Sequence, residues 1–447
     1  MKKSIAILLV IVTLFAAVLN YLPHLNYSYP LHVDEWVHYQ YSNHLSNSTP
    51  TYLGDNGLSL EAGFQFLLAT LNSIGISYLF MFNFFPVILT ILLCLSIFIL
   101  TRIIFDEKSA LFAVFFVAIL QSSVAMLGPM FLVPMSVGLF LISIGVYIVE
   151  TGSGLFFIPL SYLLIAHPPS ALALALIINL RLIVKRKLII KTIAFELLSV
   201  IIALPLYFDI IIKQGFGMVD NLSFVSIISP VFIPYLLGYV VSLIVVIGIH
   251  FSVSRKKYDL VVYSIAFLVL ALIFYQLKTE VFIPYARALM YLFLVFAILF
   301  GYGCLSIINL FKNKKAQIIV AILLIVVILY SNLPGKIDST NKVYHIINDT
   351  DFKAFNYIKD NTSKEVIILA DPWISEAITP IAERQVYSRI PQGPDRLYEQ
   401  KNQEIKTFFD SNCTNLALLK ENNISVIYGN CNNPYLKEVY PEVYLVQ

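Results

Sequence analysis

The stretch His32-Val33-Asp34-Glu35-Trp36-Val37-His38 sets two adjacent carboxylates between two imidazoles, in a chain of 447 residues of which only 13% are charged. Desolvation at a bilayer surface raises a carboxylate's pKa and makes it a better proton acceptor near neutral pH. Asp34 is therefore the first candidate for a general base. Glu35 is its support or its alternative, since neighbours in sequence seldom point at one spot. His32 and His38 are candidate substrate contacts; the plainer alternative is a pair of solvated histidines in a loop or a single helical turn. With Asp34 they also offer donors to a divalent metal such as Mg or Mn, although no ligand motif supports one. Further along the chain, His167 in His167-Pro168-Pro169-Ser170, Lys278, and Arg287 in Pro284-Tyr285-Ala286-Arg287 complete the candidate set.

The elements that must position these residues are membrane helices. A chain that is 59% hydrophobic cannot keep its apolar surface out of water as one soluble domain. Its apolar runs have the length of about 17–25 residues that a helix needs to cross a bilayer, too long and too uniformly apolar for barrel strands. Lys2-Lys3 followed by Ser4 to Leu19 reads as a signal peptide or anchor; with a poor cleavage pattern, it is expected to stay as a first span starting in the cytoplasm. Further spans are expected at 78–100, 109–127, 130–149, 155–167, 170–184, 189–212, 230–251, 258–277, 284–308 and 316–333, giving about eleven. That count puts Arg102 and Lys108, Arg181 to Lys191, Arg255 to Lys257, and Lys312 to Lys315 on the cytoplasmic side. Counting Leu58 to Ile76 as a span would invert all of these, so that apolar stretch is expected to lie on the outer surface, within an outer loop 21–77.

An odd number of spans also leaves the tail outside. Composition turns polar after Leu333, dividing the chain into a multi-spanning domain 1–333 and an extracytoplasmic domain 334–447. In the tail, Phe352 to Lys359 and Trp373 to Ala382 read as helices, and Glu365 to Leu369 and Ile424 to Tyr428 as strands, the alternation of a small α/β domain. Cys413 and Cys431 are either bonded or free thiols, and no zinc-type spacing is present. All seven Asn-x-Ser/Thr sequons fall in segments assigned to the outside. No long basic tract points to nucleic acid.

Glycosyl transfer needs a base for the acceptor proton, a group that steadies the departing phosphate, and a dry pocket. Arg287 enters an apolar helix from the outer side; it either snorkels to the interface or holds a lipid-linked phosphate with its fork of donors. Lys278 and Glu280, just before it, join that site or pair with each other. His167 sits at an outer turn, either in the headgroup layer or in a recessed cavity opening to the side of Asp34.

The pattern resembles the GT-C superfamily of membrane glycosyltransferases, in particular the protein mannosyltransferases that use dolichyl-phosphate-mannose and their bacterial and archaeal relatives. It rests on His32-Val33-Asp34-Glu35-Trp36 in the first outer loop, Leu60-Glu61-Ala62-Gly63-Phe64 leading an interfacial helix, Arg287 opening a late helix, Ala382-Glu383-Arg384-Gln385-Val386 in the tail, and a small external C-terminal domain after many spans. The resemblance implies a polyprenyl-phosphate-linked sugar as donor and a protein, lipid or glycan acceptor at the outer face of the cell membrane. It also implies Asp34 as base, Glu35 as its neighbour, and Arg287 as a donor-phosphate contact. The WWD signature of oligosaccharyltransferases and an Asp-x-Asp metal spacing are both absent from the sequence. The rival readings are a transporter or flippase of lipid-linked sugars, against which the lack of an internal repeat counts, and a noncatalytic subunit of a glycosylation complex.

Overall fold

The computed structural model describes residues 2–49, 59–185, 189–214, 233–277, 283–390 and 396–446. Helices follow in the order α1 Lys3–Tyr21, α2 Val33–Asn47, α3 Ala62–Ser73, α4 Tyr78–Ile104, α5 Glu107–Ile119 and α6 Pro134–Glu150. Then come α7 Phe157–Ala166, α8 Pro168–Lys185, α9 Ile189–Gln214, α10 Ile233–Leu237, α11 Tyr239–Ser254, α12 Tyr258–Leu277, α13 Tyr285–Asn309 and α14 Lys314–Asn341. The remainder comprises α15 Asp349–Asn361, β1 Ile367–Leu369, α16 Pro372–Ala382, β2 Gln385–Val386, α17 Arg396–Asp410, α18 Leu416–Glu421, β3 Ile424–Tyr428, β4 Leu436–Tyr440 and β5 Val443–Val446. Two compact units result, one drawn from Met1–Asn26, Asn83–Met218 and Leu222–Val343, the other built mainly from Tyr27–Phe82 and Tyr344–Gln447.

The first unit is the helical membrane unit of a multi-pass protein. Among the described residues, α1, α4, α8, α9, α12, α13 and α14 are long and apolar enough to cross a bilayer, and α5, α6, α7 and α11 are shorter apolar helices. Each corresponds to one of the expected apolar runs. Their ends differ from the sequence reading for local reasons. The run expected over 109–127 leaves the helix after Ile119, and Ser123 and Met126 form an isolated bridge before Pro134 restarts it. That expected over 230–251 is broken at Gly238, whose φ of +81° separates α10 from α11. The last span, expected to stop near Leu333, continues as α14 through Pro334 to Asn341.

Helix α13 runs through the middle of this unit, packed against α5, α11 and α12, and most of it is buried. Close approach of α11 and α13 depends on small residues: a Cβ on Gly248 would lie 2.0 Å from the Leu299 carbonyl oxygen, and one on Gly303 2.3 Å from that of Ile244. Elsewhere Arg181 donates twice to Glu150, from Nε at 2.7 Å and Nη2 at 3.0 Å, and Lys185 lies 3.1 Å from both Glu150 and Asp259. That cluster ties α6, α8 and α12 together with matched charges.

The second unit is the expected α/β structure with a sheet ordered β2-β1-β3-β5-β4. Strand β1 is parallel to β2 and β3, and β5 is antiparallel to β3 and β4. Val426 and Tyr428 of β3 face one core with Phe355, Ile358, Ile378 and Ile381, whereas Ile427 faces another with Ile405, Phe408 and Leu419. Period-two alternation of a strand buried on both faces explains that split. Cys413 and Cys431 are joined by a disulfide within the second core.

The outer-loop motif belongs to this unit. The stretch from His32 to His38, read as a loop or a single helical turn, leads into and lies mostly within the four-turn helix α2, which packs on α16 and α3. Trp36 is fully buried in the same core as Ile378 and Ala382, and the Asn43 side-chain amide donates to the Pro380 carbonyl at 3.3 Å.

Candidate functional site

Within the α/β unit, the site begins at the first turn of α2. His32 is the N-cap, with extended backbone, and its Nδ1 accepts the Asp34 amide at 3.0 Å. Glu35, three residues on, returns Oε2 to the amides of His32 (3.1 Å) and Leu31 (2.6 Å). The two side chains make a capping box that satisfies amides which a helix start would otherwise leave bare. An imidazole nitrogen that accepts an N–H carries no proton itself, so Nδ1 is the accepting nitrogen of His32 in this turn.

Adjacent carboxylates thus have different surroundings. Glu35 is fully buried and its Oε2 is engaged by backbone, so it positions the turn. The Asp34 side chain is 39% exposed, with Oδ1 3.7 Å from His32 Nδ1. One turn along α2, buried His38 holds Nε2 3.5 Å from Glu61 Oε2 and packs edge-on to Phe64, linking α2 to α3. Tyr39 stacks near Trp36 and Tyr78, where burial, then the Tyr78 and Glu383 charges, push its phenol up and keep it protonated. The described residues hold no group of three or more His, Cys, Asp and Glu side chains arranged to hold a metal ion.

In the tail, Glu383 pairs with Lys359 at 2.5 Å. Arg384 is buried and donates to the carbonyls of Lys359 (2.7 Å), Thr362 (2.6 Å), Ala382 and Glu383 (both 3.1 Å). It thereby satisfies carbonyls at the C-terminal end of α15, a structural duty.

Within the membrane unit, His167 ends α7, and its carbonyl accepts the amides of Ser170 and Ala171 at the start of α8. Pro168 and Pro169 fit the first positions of α8, where no amide partner is needed. His167 Nδ1 lies 2.6 Å from Ser170 Oγ, which lies 2.8 Å from the Tyr291 hydroxyl. All three are buried, and Gly138 of α6 makes the room: a Cβ there would sit 2.0 Å from Ser170 Oγ. Tyr291 stands one turn beyond Arg287 on α13, so this chain of contacts fixes the helix that carries the arginine.

Arg287 lies in the first turn of α13, half-buried, with no carboxylate in ion-pair reach among the described residues. Lys278 falls outside the described residues. A further buried amine, that of Lys336, escapes sequence reasoning because the expected last span ends before it. Its Nζ lies 2.8 Å from Asn20 Oδ1, and the Asn20 amide donates to Thr90 Oγ1 at 3.2 Å, joining α14, α1 and α4.

No family model and no curated relative matches the sequence. The fold, however, matches solved structures over nearly its whole length. ArnT from Cupriavidus metallidurans, in its apo state, superposes with a TM-score of 0.60 at 10% identity, covering 98% of this chain and 97% of ArnT. ArnT bound to undecaprenyl phosphate gives 0.59 at 10% identity, with 100% and 98% covered. The archaeal oligosaccharyltransferase AglB from Archaeoglobus fulgidus, in complex with an inhibitory peptide and a dolichol-phosphate, gives 0.60 at 10% identity, with 95% and 69% covered. The chain therefore has the fold shared by ArnT and AglB, a polytopic helical membrane fold with a small C-terminal sheet-containing domain, as the sequence reading expected. Both ArnT and AglB are similar to it over at least 95% of its length.

Proposed function

We propose that the protein is a membrane glycosyltransferase that moves a sugar from a polyprenyl-phosphate carrier to a hydroxyl acceptor at the outer face of the membrane, with the N-terminus cytoplasmic and the α/β unit outside. Asp34 takes the acceptor's hydroxyl proton. The freed oxygen attacks the anomeric carbon, the bond from that carbon to the phosphate oxygen breaks, and the phosphate leaves with the electron pair. The configuration at the anomeric carbon inverts.

One observation carries this reading above all: of the two motif carboxylates, the buried one is engaged by backbone amides while Asp34, on the same rigid turn, keeps an open carboxylate. Glu35 and His32 act by holding that turn. Arg287, at the amino end of α13, is assigned the leaving phosphate, because a guanidinium fork and the free amides of a helix start both favour an anion. His167 is assigned the positioning of α13 through Ser170 and Tyr291. His38 holds α3 against α2. Lys278 keeps the role of a second phosphate contact.

Structural likeness to ArnT with undecaprenyl phosphate and to AglB with a dolichol-phosphate supports a lipid-phosphate carrier. The test is transfer from a panel of polyprenyl-phosphate sugars by purified protein in detergent, where transport cannot be scored. Formation of a glycosylated product that requires Asp34 supports the enzyme. Movement of the lipid in vesicles without any product would favour the transporter.

A further inference from the structure

Contacts around Asp34 extend beyond the capping box. His32, whose Nδ1 lies 3.7 Å from the Asp34 carboxylate, has its ring centroid 5.6 Å from that of Tyr344. Tyr344 in turn meets Trp373 at 5.0 Å, with the rings inclined by 64°. These side chains come from three separate stretches of sequence, all within the α/β unit.

Both outer rings stand on fixed backbone. The Tyr344 amide donates to the Leu31 carbonyl at 2.9 Å, next to the residues that form the capping box. Trp373 lies in the first turn of α16, where its amide donates to the Asp371 side chain at 2.9 Å and Pro372 fixes the entry of the helix. Yet Trp373 is 44% exposed, whereas Trp36, the chain's other tryptophan, is fully buried. Trp36 serves the core; Trp373 offers ring surface outward.

We infer that Trp373 and Tyr344 form a stacking subsite for a pyranose ring of the acceptor, so that the acceptor is a glycan or glycoconjugate. This rests on the reading of Asp34 as the base. A pyranose presents an apolar face of C–H groups and an edge of hydroxyls. An indole with a tyrosine at its side matches the face, being rigid and amphipathic, and a carboxylate matches the edge. The group beside the base is the one that gives up a proton, which is the acceptor; the donor's sugar stays on the phosphate it is leaving.

The test uses the full chain in nanodiscs and reads acrylamide quenching of tryptophan fluorescence, which reports Trp373 because Trp36 is buried. The probes are methyl glycosides of hexoses and N-acetylhexosamines, the matching disaccharides, and oligopeptides carrying Ser, Thr and Asn. At least one saccharide should shield Trp373 in the wild-type protein, with the effect lost in Tyr344→Ala and absent from the Trp373→Phe control. In the transfer assay, Trp373→Ala should raise the acceptor KM about tenfold or more with kcat unchanged. No shielding by any saccharide, or shielding by peptides alone, overturns the inference. Quenching needs no turnover, so the two readings fail separately. If Asp34→Asn abolishes transfer and no sugar shields Trp373, only the subsite falls; if Asp34→Asn retains full transfer while sugars shield it, the base assignment falls and the sugar-stacking site stands without its assignment to the acceptor.

Discussion

Glu35 and His32 hold each other's turn: the Glu35 carboxylate accepts the His32 amide at 3.1 Å, and the His32 imidazole accepts the amide of Asp34 at 3.0 Å. The residue caught between them, Asp34, is thereby aimed by two side chains that do no chemistry in the proposed transfer. This division of labour separates the effects of mutating either neighbour from those of mutating Asp34.

Glu35→Ala leaves two buried amides without their acceptor, each costing about 1–3 kcal/mol, and is expected to lower the yield and thermal midpoint of folded protein. Glu35→Gln keeps a neutral acceptor in place and is expected to fold, with transfer reduced less than by any change at Asp34. His32→Asn, which preserves an N-cap acceptor, should stay close to wild type in stability, while His32→Ala should lose about 1 kcal/mol. Thermal unfolding of the purified variants measures all four.

Gly138 and Ser170 compete for one space. Gly138→Ala should push Ser170 off Tyr291 and lower transfer, because a Cβ at that position would lie 2.0 Å from Ser170 Oγ. Adding Ser170→Gly should recover stability, since the clash is gone, without restoring the link from His167 to α13. A double-mutant cycle on stability and activity separates the two contributions.

Lys336 and Asn20 are expected to be unequal partners. Lys336→Met leaves the buried Asn20 carbonyl oxygen without its donor and should cost about 1 kcal/mol, whereas Asn20→Leu strands the lysine amine and also removes the bond to Thr90, and should cost more, about 1–3 kcal/mol for each stranded group. Comparing the unfolding of the two single variants in the same detergent decides the order.

The Cys413–Cys431 bridge closes a loop of sequence separation 18. Its removal by Cys413→Ser with Cys431→Ser should destabilise the α/β unit by about 3 kcal/mol on a chain-entropy estimate. Mass shift on alkylation before and after reduction confirms the bond, and thermal unfolding gives its effect.

Much of this fold was legible because its signals are local. Apolar runs marked the membrane helices, and the residues Ile424 to Tyr428, rich in β-branched side chains and bounded by polar ones, form β3 as expected. Helix α2 was not legible. Its two histidines and scattered polar residues give no clean apolar stripe, because its buried face is set by α16, more than 300 residues away in sequence, and by α3. The capping box was hidden for a related reason: histidine is not among the usual N-cap residues, so His32-Val33-Asp34-Glu35 does not match the familiar Ser/Thr-x-x-Glu pattern. Likewise, nothing local to Tyr344 or Trp373 shows that they meet; only the sheet and α16 bring the two stretches together. Asp34 stood out for its chemistry, but the difference between it and Glu35 became visible only in the hydrogen bonds.

The central claim is tested most directly by Asp34→Asn, which keeps the shape of the side chain and removes its basicity. Transfer from a polyprenyl-phosphate sugar should fall in kcat by about 10²–10⁴-fold, the usual worth of a positioned base, with the thermal midpoint and detergent elution unchanged. Wild-type turnover by that folded variant would contradict the assignment of Asp34 as the base.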